Sequence, residues 1–145
     1  MIAGPRTALA LAAGITVTLS GCVQPPPRPV PQPMQPLVYK KTALAGQSIR
    51  LDFAASINPD CTVREVPTVR IVDPPVNGTT QMKEMEDFTA FPAGNPRSAC
   101  NKARSRGLEI TYTPNPGFLG TDSVSYETIG NDGYDRTIKV AITVK

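Results

Sequence analysis

The most reactive side chains of this sequence are three cysteines, Cys22, Cys61 and Cys100, and no histidine accompanies them. A serine hydroxyl or a thiol that acts as a nucleophile normally needs a neighbouring base, most often histidine. The acids Glu84 and Glu86 could act as an acid and a base, but two carboxylates in a polar segment are more often solvated. We therefore expect no enzyme, no catalytic residue and no cofactor.

Cys22 follows a short apolar segment. Arg6 precedes the uncharged residues 7–19, and this order is typical of a secretory signal peptide. The segment is too short to cross a bilayer, which needs about 20 helical residues. The motif Leu19-Ser20-Gly21-Cys22 resembles the lipobox of bacterial lipoproteins. The resemblance implies a signal peptide at residues 1–21, lipidation of the Cys22 thiol and a membrane anchor; the alternative is an ordinary secretory signal with a chance cysteine.

The residues after Cys22 are rich in proline. The sequence from Val23 to Pro36 reads VQPPPRPVPQPMQP, and proline excludes both helix and central strand. Residues 22–36 are therefore interpreted as the lipidated cysteine and an extended tether of roughly 40 Å at about 3.1 Å per residue. A proline-rich docking ligand is the alternative. Valine at position 23, where retained lipoproteins have aspartate, resembles lipoproteins passed to the outer membrane.

The other two cysteines form an even pair in a chain expected to be exported. Such pairs normally oxidise, so a disulfide between Cys61 and Cys100 is predicted. Closing a loop of about 40 residues stabilises the fold by something like 4 kcal/mol in the chain-entropy treatment. A metal or redox pair is the competing interpretation, but neither a histidine nor a C-x-x-C spacing supports it.

Apolar residues alternate with polar ones through the rest of the chain, which predicts β-strands. The clearest run is the last, residues 137–145, where a slip of one residue would bury lysines. Other strands are predicted within residues 49–53, 69–72, 79–83, 108–112 and 123–129, with a turn at Asn131-Asp132-Gly133. Residues 37–145 are therefore expected to form one all-β domain, an antiparallel β-sandwich of about seven strands.

A motif in the last third of the chain is more specific. Residues 112–126 read YTPNPGFLGTDSVSY, which resembles the segment Y-x-P-x-x-G-F-x-G-x-D-x-x-x-Y of bacterial immunoglobulin-like and cadherin-like modules. The resemblance implies an immunoglobulin-like sandwich whose structural motif residues are Tyr112, Gly117, Phe118, Gly120, Asp122 and Tyr126. The two glycines would permit tight turns, and Phe118 would fill the end of the sandwich. The spacing of Asp122 and Tyr126 is that of a tyrosine corner, in which the phenol binds upstream backbone.

The sequence around this motif also departs from antibody domains, and it raises the question of a calcium site. Thr128 stands where antibody domains carry a cysteine, so the usual inter-sheet disulfide is absent. Asp122, Asn131, Asp132 and Asp135 resemble the acid-rich turns of cadherin-like modules, but they form no recognisable twelve-residue calcium loop. Since hairpin geometry explains the Asn-Asp-Gly turn, no metal site is predicted.

Residues 83–106 have no counterpart in the minimal module and are interpreted as an insertion or long loop. Acidic residues lie at one end, and the basic residues Arg97, Lys102, Arg104 and Arg106 surround Cys100 at the other. These four are the candidate partner contacts, for an anionic glycan, lipid headgroups or an acidic protein surface. The alternative is a solvated loop whose charges pair with each other at roughly 0–1 kcal/mol per pair.

The net charge of +3 is too small to indicate a nucleic-acid partner. We therefore expect an immunoglobulin-like interaction module, anchored by lipid in the envelope of a double-membraned bacterium, which contacts an envelope protein or glycan. The alternative function is a periplasmic inhibitor that blocks a hydrolase active site with the disulfide-held residues 83–106.

Overall fold

The computed structural model describes Met1, residues 35–131 and residues 133–145. The predicted signal peptide, Cys22 and most of the tether lie outside these residues, as does Asp132 of the predicted turn. The described part of the chain contains seven strands and one short 3-10 helix. They are β1 (Leu37–Ala43), β2 (Ile49–Ala54), β3 (Thr68–Asp73), β4 (Gly78–Phe88), the helix Ser98–Lys102, β5 (Arg104–Pro114), β6 (Gly120–Ile129) and β7 (Asp135–Val144). Among these residues no helix is long and apolar enough to span a membrane.

The strands form two sheets of a β-sandwich, which confirms the predicted fold class. One sheet has the order β1-β7-β6-β3 and the other the order β2-β5-β4. These orders match the C-F-G and B-E-D sheets of an immunoglobulin-like sandwich, with the first strand placed beside the last. One pairing differs from the prediction of a purely antiparallel sandwich. β1 runs parallel to β7, in register from Leu37 with Ile138 to Ala43 with Val144.

The core lies between the sheets and consists mainly of residues from strands that alternation predicted, with Ala43 of β1 added. Ten buried side chains form one cluster: Ala43, Leu51, Ile110, Tyr112, Val124, Tyr126, Ile138, Val140, Ile142 and Val144. Each fully buried aliphatic side chain of this kind stabilises the fold by about 1.5–3 kcal/mol. The alternation of β7 is therefore what fixes its register.

The segment interpreted as an insertion begins and ends within the strands of a long β-hairpin, so that interpretation was wrong in its bounds. β4 continues through Lys83 to Phe88, and β5 begins at Arg104, with Phe88 paired to Arg104. Only residues 89–103 connect the two strands. β2 pairs with β5 no further than Leu108, so the distal half of the hairpin has no third strand beside it. The strand pattern was obscured because the more buried positions of this part carry few apolar side chains: Ser105 and Gly107 are buried, and Met85 and Asp87 are half-buried.

Candidate functional site

Two connections are joined by a disulfide at the end of the sandwich where β2 and β4 terminate. Cys61 lies in the β2–β3 connection and Cys100 in the 3-10 helix of the β4–β5 connection. Their sulfurs are bonded, with the Cα atoms 5.3 Å apart, which confirms the predicted pair. Cys100 is buried, whereas Cys61 is exposed in a turn with positive φ. The bond therefore fixes the hairpin end to the neighbouring connection.

Polar side chains hold the β4–β5 connection in one conformation. The Asn101 Oδ1 atom accepts hydrogen bonds from the Phe91 N–H and the Thr89 hydroxyl, both at 3.0 Å, and its amide nitrogen donates to the Phe91 carbonyl at 2.9 Å. The Arg97 Nε atom donates to the Ile57 carbonyl across the two connections. These bonds satisfy backbone groups that would otherwise be unpaired, and they give the hairpin end a defined shape.

The four predicted contact residues do not form a single cluster. Arg97 lines a groove beside the connections, and Lys102 ends the 3-10 helix in an exposed position. Arg104 lies over the Phe88 ring, 5.6 Å from its centroid. Arg106 donates to Glu84 at 2.6 Å. For Arg106, the alternative interpretation of mutually paired charges is therefore the correct one.

The groove has a volume of about 780 Å³. It opens at this end of the sandwich, between the start of β1, the end of β2, the two connections and the β6–β7 hairpin. Its lining includes these aromatic and charged side chains: Tyr39, Phe53, Phe91 and Tyr134, with Asp52, Arg64, Arg97 and Arg136. Of these residues, only Arg97 was singled out from the sequence.

A hydrogen bond between the two sheets forms the inner wall of this groove. The Tyr126 hydroxyl donates to the Asp52 Oδ2 atom at 3.1 Å, and the Asp52 Oδ1 atom accepts the Phe53 N–H at 2.8 Å. Burial, followed by the negative charge of Asp52 and this hydrogen bond, raises the pKa of Tyr126 well above its usual value. The phenol therefore remains a neutral donor.

This bond corrects the predicted tyrosine corner. Tyr126 lies six residues beyond Gly120, about 20 Å along an extended strand, so its hydroxyl cannot reach the β5–β6 corner. Its ring points between the sheets, with register partners Ile138 on β7 and Ile71 on β3. The hydroxyl consequently bonds to a side chain of the opposite sheet instead of upstream backbone.

Asp122 and Tyr112 provide the polar contacts near that corner. Asp122 accepts the N–H groups of Val76, Asn77 and Ser123 and the Tyr112 hydroxyl, at 2.8 to 3.1 Å. Burial acts to raise the pKa of Asp122, but these hydrogen bonds outweigh it and hold the pKa below its usual value. Burial and the bond to Asp122 raise the pKa of Tyr112 to about 12.

The remaining motif residues have the predicted structural roles. Gly117 and Gly120 have positive φ angles of 75° and 128°, which glycine adopts without strain. Phe118 is partly buried and packs against the core. Among the described residues no group of three or more potential ligands is placed to hold a metal ion, and Asp122 uses both oxygens on protein donors.

The strand order and the Cys61–Cys100 bond define the class to which the chain belongs, a β-sandwich with a disulfide between connections at one end. No protein-family model matches the chain, and no curated protein matches it. One solved structure, described as the solution structure of amebosin, is similar to it at 10% sequence identity with a TM-score of 0.39. The match covers 77% of this chain and 100% of that one.

Proposed function

We propose that this chain is a non-enzymatic interaction module, anchored by lipid through Cys22 in the outer membrane of a double-membraned bacterium. The lipobox-like motif and the proline-rich residues that follow it support the anchor. The extended tether would hold the β-sandwich away from the lipid headgroups. The partner would be an envelope protein or a glycan.

The observation that carries the interaction role is the rigid end of the β4–β5 hairpin. A disulfide, the Asn101 hydrogen bonds and the Arg97–Ile57 bond hold this end in one conformation. It presents Lys102 and Arg104, both exposed. A surface that is already ordered loses little conformational entropy when it binds, and this loss is a main cost of association.

The anchor is tested by metabolic labelling with palmitate. Wild-type protein should be labelled, and Cys22→Ser should not, because serine offers no thiol for a thioether. Cys61→Ser is the matched control, since it removes a cysteine that lies outside the lipobox. Equal labelling of the wild type and Cys22→Ser would exclude the lipid anchor.

The partner surface is tested by cross-linking in cells, followed by identification of the captured protein or glycan. Lys102→Glu combined with Arg104→Glu should reduce capture at least tenfold, because charge reversal places repulsion in the contact. The matched control is Lys139→Glu with Lys145→Glu, which changes the net charge equally on an exposed part of β7 and the chain end. Equal capture by both double variants would place the contact elsewhere.

The disulfide-held hairpin end also favours a second candidate, a periplasmic inhibitor that inserts this end into a hydrolase active site. The same cross-linking distinguishes the two functions. Capture of a soluble hydrolase, whose activity falls when purified protein is added, would favour the inhibitor. Capture of a membrane-bound envelope component would favour the interaction module.

A further inference from the structure

The inward-facing positions of β6 and β7 change from apolar to polar at the groove. On β7 the buried series Val144, Ile142, Val140 and Ile138 continues, two residues earlier, with Arg136. On β6 the buried Val124 and Tyr126 are followed by Thr128, the register partner of Arg136. Arg136 is exposed and Thr128 is half-buried. This end of the sandwich is therefore open to solvent and offers polar groups on the inward side of its strands.

The charges that line the groove have a defined balance. Arg97 and Arg136 present guanidinium groups, and Asp52 is the acidic residue of the lining. Arg64 also lines the groove and has interactions of its own. The lining therefore carries more positive than negative charge, which suits an anionic ligand group. A carboxylate is such a group, and it matches the planar donor geometry of guanidinium.

The guanidinium groups are oriented and retain donors for a ligand. The Arg97 Nε atom is bonded to the Ile57 carbonyl, which leaves its terminal nitrogens without a hydrogen bond to any described residue. The Arg136 guanidinium lies 5.7 Å from the Tyr134 ring centroid, and a terminal nitrogen is 3.4 Å from the Tyr134 hydroxyl. Each group is therefore held on one side and can donate on another.

One further feature describes the ligand. The aromatic rings of Tyr39, Phe53 and Phe91 supply apolar surface, and the volume is within the range of small-molecule sites.

We propose that this groove binds a small ligand that carries one carboxylate on an apolar body, with the carboxylate held by Arg97 and Arg136. The carboxylate could belong to a short peptide or to an acyl chain, since both present the same group. The site goes beyond the partner contact proposed for Lys102 and Arg104 and does not depend on the lipid anchor.

Calorimetric titration of the purified full chain tests this site. The probes are an acetylated Ala-Leu-Phe tripeptide with a free carboxylate, the same tripeptide as its amide, octanoate and octanamide. At least one acid should bind at least tenfold more tightly than its own amide. The acid that does so identifies the source of the carboxylate.

Variants of the full chain assign the contact. Arg136→Met should weaken binding of that acid about tenfold or more, the usual effect of losing a charged hydrogen bond. Arg97→Met should do the same, but it also breaks the Ile57 bond. Arg136→Met is therefore the decisive variant, because among the described residues the Arg136 guanidinium bonds only to Tyr134. Arg70→Met is the matched control, since Arg70 pairs with Glu127 and does not line the groove, and it should bind as the wild type does.

Absence of binding by both acids, equal binding of each acid and its amide, or unchanged binding by Arg136→Met would each overturn the proposal. These outcomes do not bear on the palmitate and cross-linking experiments, which test a different part of the chain. Failure of the ligand site and failure of the proposed function can therefore be told apart.

Discussion

An Asp122→Asn substitution changes only the charge and one oxygen of a side chain that accepts four hydrogen bonds. One oxygen accepts the Val76 and Ser123 N–H groups, and the other accepts the Asn77 N–H and the Tyr112 hydroxyl. An asparagine amide has a single oxygen, so in its better orientation the NH₂ group faces the Asn77 N–H and the Tyr112 hydroxyl. The hydroxyl can turn to accept from the NH₂ group, but the Asn77 N–H is left unsatisfied close to the core.

The cost follows from these contacts. Hydrogen bonds to an ionised group contribute about 1.5–3 kcal/mol each, and neutral ones about half of that. Losing one charged bond and reducing the other three to neutral ones should lower the free energy of unfolding by about 4 kcal/mol or more, a large part of the 5–15 kcal/mol typical of a domain. Tyr112→Phe is the matched partial change because it removes one of the four donors. It should cost only about 1–2 kcal/mol.

Urea unfolding of the wild type and both variants, at several pH values, measures these costs. The pKa of Asp122 is lower in the folded protein than in the unfolded chain. Its contribution is therefore complete above the unfolded value of about 3.9 and is lost as the pH falls through the folded value. The difference between the wild type and Asp122→Asn should be full at pH 7 and should shrink below about pH 4. Equal midpoints at pH 7, or a difference that does not depend on pH, would refute the reasoning.

Three further predictions concern stability. Reduction of the Cys61–Cys100 bond should lower the free energy of unfolding by about 4 kcal/mol, measured by denaturant melts with and without reductant; free thiols in the unreduced protein would contradict it. Tyr126→Phe removes the hydrogen bond between the sheets and should cost about 1–2 kcal/mol, whereas a wild-type midpoint would show that the bond contributes nothing. Gly107→Ala would place a Cβ atom 2.6 Å from the Phe53 ring and 2.7 Å from the Ala54 carbonyl oxygen and should cost about 1–3 kcal/mol; an unchanged midpoint in the same melts would contradict the steric argument.

The strands that bury one face could be predicted, and those that do not were missed or shortened. β7 was clear because four of its residues lie in the core. β1 was missed because only Ala43 of its seven residues is buried. Its hydrogen bonds to β7 hold it in place, and backbone pairing leaves no pattern in the side chains. The distal part of β4 was read as loop for the same reason.

The candidate site was predictable only in part, because most of its contacts join distant parts of the chain. The disulfide could be predicted from the number of cysteines alone. The partner of Tyr126 could not, since Asp52 is 74 residues away and lies next to a register shift in β2. One signal was available in the sequence. The alternation of β7, extended backward from Ile138, places Arg136 on the same side of the strand as the core residues, and its side chain is exposed where the strand begins.

Two links, the Tyr126–Asp52 hydrogen bond and the Cys61–Cys100 disulfide, explain by their positions how one end of the sandwich can remain open. Antibody domains link their second and sixth strands by a disulfide through the core. Here the Tyr126–Asp52 hydrogen bond joins the corresponding strands, β6 and β2, and the covalent bond lies outside the core, between the connections. Side chains at this end include arginines and a threonine that cannot hold the connections by apolar burial. Because the disulfide supplies the constraint that burial would otherwise provide, the groove can keep polar walls without loss of order in the connections that form it.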